Sequence, residues 1–199
     1  MKQRIFAYRE TLKRLLGEIV VTDKAKRKYP FESGVEKTVS LILKCARKGG
    51  KLIFIGNGAS AAMSSHLATD FWKNGGIRAV TFNDAAGLTC VSNDYAYEYV
   101  FEKPIEMFAQ THDVLIAISS SGKSRNILNG VAAAQRKKIA IITFSGFKPD
   151  NPLRASGDFN FYVPESDYGP VEVLHHMIGH GLIDMVISIR KEKGSLSRG

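Results

Sequence analysis

The sequence predicts an α/β protein: a three-layer α/β/α sandwich built on a parallel sheet, with additional helices at the N-terminus. Two observations carry this. From about residue 50 onward, short β-rich apolar runs alternate with stretches of helical periodicity, the order produced by a parallel sheet covered on both faces. Each run also closes in glycine or polar residues, as strand ends do when they pass into loops.

Residues 3–22 place Ile5, Tyr8, Leu12, Leu15, Leu16, Ile19 and Val20 among charges at helical spacing,. Residues 34–48 repeat the pattern with Val35, Val39, Leu41, Ile42 and Cys45. On this reading helices precede every strand. KLIFIGNG then gives a strand broken by glycines, and residues 60–72 a helix. RAVTF, DVLIAIS, KIAIITF and FNFYVP are further strands, residues 125–136 a helix between them, and residues 171–191 a long apolar helix carrying histidines. Ligands are expected beyond the carboxyl ends of the strands.

Hydrophobic residues at 44% and charged residues at 24% suffice for a sizeable core,. The expected organisation is one domain over 1–199, with an N-terminal helical extension at 1–33 and a basic tail at 191–199. Apolar runs such as 52–55 and 114–118 are too short to cross a bilayer, and MKQRIFAYRE lacks the apolar core of a secretion signal,. A cytoplasmic protein with no membrane partner is expected. Cys45 and Cys90 lack metal-site or disulfide spacing and read as reduced, buried thiols,.

The net charge of +9 comes from the chain ends. Residues 1–30 hold nine Lys/Arg against three Asp/Glu, residues 190–199 hold four against one, and the remaining 159 residues are neutral. Charge so placed suits a solvated helix face and a tail better than a groove for DNA or RNA. Nucleic-acid binding is therefore not expected.

Two strand ends carry the chemistry: GNGAS at 56–60 and SSSGKS at 119–124. Glycines admit an anion close to backbone N–H groups, serine hydroxyls add donors, and the following helix contributes its positive end. The same residues are common caps and turns. Their recurrence in equivalent places favours phosphate. Gly122-Lys123-Ser124 ends like a nucleotide-binding loop, but Ala117 stands where its first glycine belongs,. Gly56, Gly58 and Ala61 match dinucleotide spacing without a well-placed acidic ribose anchor,. No nucleotide cofactor is expected.

IGNGASA, SSSGKS, SNDYAYE and the helix ending in HHMIGH resemble the phosphoheptose isomerase (sedoheptulose-7-phosphate isomerase) branch of the sugar-isomerase (SIS) domain proteins, over about residues 35–190. The resemblance implies a flavodoxin-like sandwich, a homotetramer with sites between subunits, and an aldose–ketose isomerase acting on a phosphorylated sugar. It further implies phosphate binding by Ser60, Ser119, Ser121 and Ser124, with Asn57, Asp94, Ser120 and Glu172 near the substrate. Asp70 and His180 would be the acid–base pair. One zinc per site would be held by His66, Asp70, Glu172 and His180.

Spacing is compatible with that ion. His66 and Asp70 are four residues apart on one helical face, and Glu172 and His180, eight apart, lie about 12 Å along an axis and within about 80° in direction. Such an i,i+4 pair is equally an ordinary surface contact, so zinc rests on the resemblance. His175 and His176 have no derived role; His176 stands at a usually apolar position and is either packing or an additional ligand. Asp70 replaces a usual glutamate, Glu172 a glutamine, Asn74 an arginine and Gly169 an aspartate. These departures keep two alternatives open: a non-catalytic sugar-phosphate-binding or regulatory SIS module, and an isomerase of another sugar phosphate.

Overall fold

The computed structural model describes residues 1–194. It contains helices α1 (Lys2–Glu18), α2 (Phe31–Arg47), α3 (Ala59–Lys73), α4 (Ala85–Asp94), α5 (Glu102–Phe108), α6 (Arg125–Arg136) and α7 (Tyr168–Glu192). Its strands are β1 (Val20–Asp23), β2 (Lys28–Tyr29), β3 (Leu52–Gly56), β4 (Ala79–Thr81), β5 (Val114–Ser119), β6 (Ala140–Ser145) and β7 (Phe159–Tyr162). They form one seven-stranded sheet in the order β2-β1-β7-β6-β5-β3-β4. The five strands from β7 to β4 are parallel, while β1 runs antiparallel to both β7 and β2.

Alternation along the strands builds both outer layers. Leu52, Phe54, Ile116, Ile118, Ile142 and Phe144 face a core completed by α2, α3 and α7. Ile53, Ile55, Leu115, Ala117 and Ile141 face the opposite core, closed by Ile105 of α5 and Ile127 and Val131 of α6. Burying each such side chain is worth about 1.5–3 kcal/mol relative to exposure. Two-sided burial is why these strands read as continuous apolar runs.

Residues 1–33 are not purely helical, contrary to expectation. Ile19 takes extended backbone (ψ 125°) and ends α1, and Val20-Val21-Thr22-Asp23 pairs with β7 from Val20↔Tyr162 to Asp23↔Phe159. Three consecutive β-branched residues prefer the pleated strand to another helical turn. At the other end, residues 191 and 192 belong to α7; residues 195–199 of the expected basic tail lie outside the described residues.

Cys45 is buried and its burial pushes the thiol up to about 11. Cys90 is exposed, contrary to expectation, because no residue of α4 is buried. No described helix is long and apolar enough to cross a membrane.

α3 and α7 approach closely where Gly179 meets Leu67. A Cβ at 179 would lie 2.4 Å from Leu67 Cδ1, so glycine permits the contact that draws the histidines of the two helices together.

Candidate active site

The loops after β3 and β5 lie side by side because their strands are hydrogen-bonded neighbours, with Gly56 opposite Ile118. Gly58 (φ +53°) turns the first loop into α3. In the second, the Gly122 N–H donates to Ser119 Oγ (3.2 Å) and the Lys123 N–H to Ser121 Oγ (3.3 Å). Gly122 has φ +62°, and a Cβ there would stand 2.0 Å from Asn151 Oδ1. The loop path therefore requires glycine.

Ser60, Ser119 and Ser120 are buried. Ser120 Oγ has no hydrogen-bond partner among the described residues, although the Ser120 carbonyl accepts from the Gly146 N–H at 2.9 Å. A buried hydroxyl left unpaired is costly and suits a ligand oxygen. Ser124 occupies the N-cap of α6 without a side-chain capping bond. The serines of the second loop thus line one short turn between β5 and α6.

Asn57 is held from two sides. Its Nδ2 donates to Asn126 Oδ1 (2.9 Å), Asn126 Nδ2 donates back to Asn57 Oδ1 (2.8 Å), and the Tyr97 hydroxyl reaches the same oxygen at 3.1 Å. Ala96 beside Tyr97 has φ 122°, a strained conformation of the kind found at functional sites. Sequence alone does not single out Asn126 or Tyr97, since a pairing across 69 residues leaves no local pattern. Asp94 ends α4, exposed, and accepts from Asn93 Nδ2 at 2.9 Å and Cys90 Sγ at 3.6 Å; no described contact joins it to the serine loops.

The second half of the site lies between α3 and α7. His66 Nε2 is 3.2 Å and His180 Nδ1 4.0 Å from Asp70 Oδ2, while Asn74 Nδ2 donates to Asp70 Oδ1 at 3.0 Å. Asn74 thus orients the carboxylate. Ring centroids are 5.2 Å apart for His66–His176 and His66–His180, and 4.6 Å for His176–His180.

One donor atom from each of these three imidazoles falls within 4.8 Å of the others. Asp70 and Glu172 contribute none to that cluster. The expected quartet is therefore gathered only in part, and His176 joins it. Burial lowers the His176 pKa, reinforced by His180 and His66 and opposed by Asp70, which favours the neutral imidazole a metal requires. Its Nε2 is buried without a partner among the described residues.

Glu172 sits one turn before His176 and shares with it, His66 and Ala59 the wall of a cleft of about 480 Å³. The start of α3 and the imidazoles of His66 and His176 thus border one space. His175 points elsewhere and braces the fold. It is wholly buried, and its Nε2–H donates to the Ser145 carbonyl (3.1 Å), fastening α7 to the end of β6. Burial takes its pKa down to about 4 against the smaller opposing effect of that bond.

Fold and site together define an α/β protein with an anion-suited loop pair and an imidazole cluster beside it. A family model for the SIS domain matches residues 7–146. The phosphoheptose isomerase of Helicobacter hepaticus is 31% identical over 177 residues, 86% of this chain and 90% of that protein. That of Campylobacter jejuni subsp. jejuni serotype O:6 is 33% identical over 160 residues, 76% and 84% of the respective chains. The structure of phosphoheptose isomerase GmhA from Neisseria gonorrhoeae superposes with a TM-score of 0.82 at 27% identity, covering 94% of this chain and 98% of that one. The chain belongs to the SIS-domain family and, within it, to the phosphoheptose isomerases.

Proposed function

We propose that the protein converts sedoheptulose 7-phosphate to D-glycero-D-manno-heptose 7-phosphate through an enediol, with zinc assistance. The observation that carries this reading is the shared cleft, bordered by Ala59 at the start of α3 and by His66, Glu172 and His176. A substrate whose phosphate is gripped at the strand ends can present its far carbons to the acid–base groups.

Ser60, Ser119, Ser121 and Ser124 hold the phosphate, together with the first N–H groups of α3 and α6. Ser120, with its unpaired buried hydroxyl, and Asn57 face the sugar, and Asp94 closes on it from the end of α4. In the ketose, a proton leaves C1, the O1 proton moves to O2, and a proton returns at C2. Asp70 and His180 divide these transfers, the work of general acid–base groups brought within hydrogen-bond reach of the substrate. Zinc, when bound by His66 and His180, would polarise the sugar oxygens and stabilise negative charge on the enediolate.

The exposed apolar residues Ile5, Phe6 and Tyr8 of α1 and Trp72 of α3 support association of copies into the homotetramer typical of the resembled enzymes, each copy a single domain in the cytoplasm. Purified full-length protein mixed with sedoheptulose 7-phosphate and zinc should yield the aldose phosphate by NMR. Saturable binding without turnover would instead identify a sugar-phosphate-binding module.

A further inference from the structure

We infer that His176 is the third imidazole of a His66–His176–His180 metal site in this chain, which leaves Asp70 and Glu172 outside the coordination shell. This rests on the zinc-assisted reading above.

Three observations carry it. The donor atoms of these histidines already converge within 4.8 Å. His176 Nε2 is buried and unpartnered among the described residues, a costly state that a metal bond relieves. Asp70, by contrast, supplies no atom to that cluster; one of its oxygens accepts from Asn74 Nδ2 and the other lies 3.2 Å from His66 Nε2. Zinc favours a three-protein-ligand set with an open fourth position when it is catalytic.

Charge gives the arrangement its consequence. Three neutral imidazoles leave the ion its full positive charge, whereas two carboxylate ligands would cancel it and weaken its pull on a sugar oxygen. With the metal held by imidazoles, Asp70 remains available as a proton carrier. His176 thereby spares the ion the negative charge that Glu172 would add as a ligand.

The test measures zinc affinity of the purified apo full chain by chelator competition, beside assays with sedoheptulose 7-phosphate. His176→Gln should weaken zinc binding as much as His66→Gln does, beyond the roughly 10–100-fold cost of losing an outer-shell partner. Glu172→Gln should change it less than about threefold, and Asp70→Asn should weaken it by no more than the roughly 10–100-fold of an outer-shell loss. On the wild-type protein, one equivalent of zinc should shift the ring ¹⁵N resonance of His176, a readout that does not depend on any variant folding. Unchanged affinity in His176→Gln, or an unmoved His176 resonance, overturns the assignment even if the wild type isomerises substrate. Zinc bound through the three histidines by a protein that never turns over the ketose supports the assignment and removes the isomerase reading.

Discussion

Asn57 and Asn126 exchange two amide hydrogen bonds, of 2.9 and 2.8 Å, across the loops that follow β3 and β5. The pair sets the separation of the two halves of the anion pocket. Asn126→Ala strands the Asn57 amide, a loss of about 2 kcal/mol for two neutral bonds, or roughly 4–8 °C in Tm for a chain of this size. KM should rise about tenfold, equal to 1.4 kcal/mol of binding. Calorimetry and steady-state kinetics check both; a lowered Tm with unchanged KM would make the pair purely structural.

Asp113 performs the corresponding service at the opposite ends of the same strands. It is 2% exposed and accepts from the Lys51 N–H and the Gln110 N–H at 2.8 Å each, besides pairing with the Lys51 ammonium. Asp113→Ala leaves the Lys51 ammonium only the Phe108 carbonyl, at 2.8 Å, strands two backbone N–H groups, and should cost about 3–5 kcal/mol. Because the site lies beyond the other strand ends, kcat of the folded fraction should stay within about twofold, under 0.5 kcal/mol of barrier. Denaturant unfolding and kinetics on one preparation separate the two effects.

Acid should loosen the turn between β1 and β2. Burial pushes the Asp23 carboxyl up, but hydrogen bonds from Tyr29 and Arg27 outweigh it and hold the pKa down at about 2. A carboxyl with a depressed folded-state pKa contributes stability that is fully present above its unfolded value near 3.8 and is lost as pH falls toward 2,. Asp23→Asn should therefore show a shallower decline in Tm between pH 4 and 2 than the wild type. Parallel melting curves in that window would refute the clamp.

Much of the frame is legible in the sequence because buried parallel strands announce themselves as short apolar runs, and α6 begins and ends at Arg125 and Arg136 as its spacing predicts. Strand β1 is hidden because Ile19 and Val20 continue the apolar spacing of α1, and only the β-branched run Val20-Val21-Thr22 signals the change. The exposure of Cys90 is hidden too, because sequence does not tell that α4 stands off the core. His66 and Asp70 can be paired from helical spacing alone. The joining of His66 to His176 depends on how closely α3 crosses α7 at Gly179 and Leu67, a tertiary fact with no local signature. Asn126 is illegible for the same reason.

The assignment of proton transfer to Asp70 is tested most directly by following sedoheptulose 7-phosphate by NMR with wild-type protein and Asp70→Asn in parallel, zinc present. The wild type should form the aldose phosphate, and the variant should retain thermal-shift evidence of sugar-phosphate binding while losing at least about 100-fold in kcat, the low end of what an acid–base group contributes. Equal turnover by the two proteins would contradict the assignment of proton transfer to this carboxylate and, with it, the account of the site.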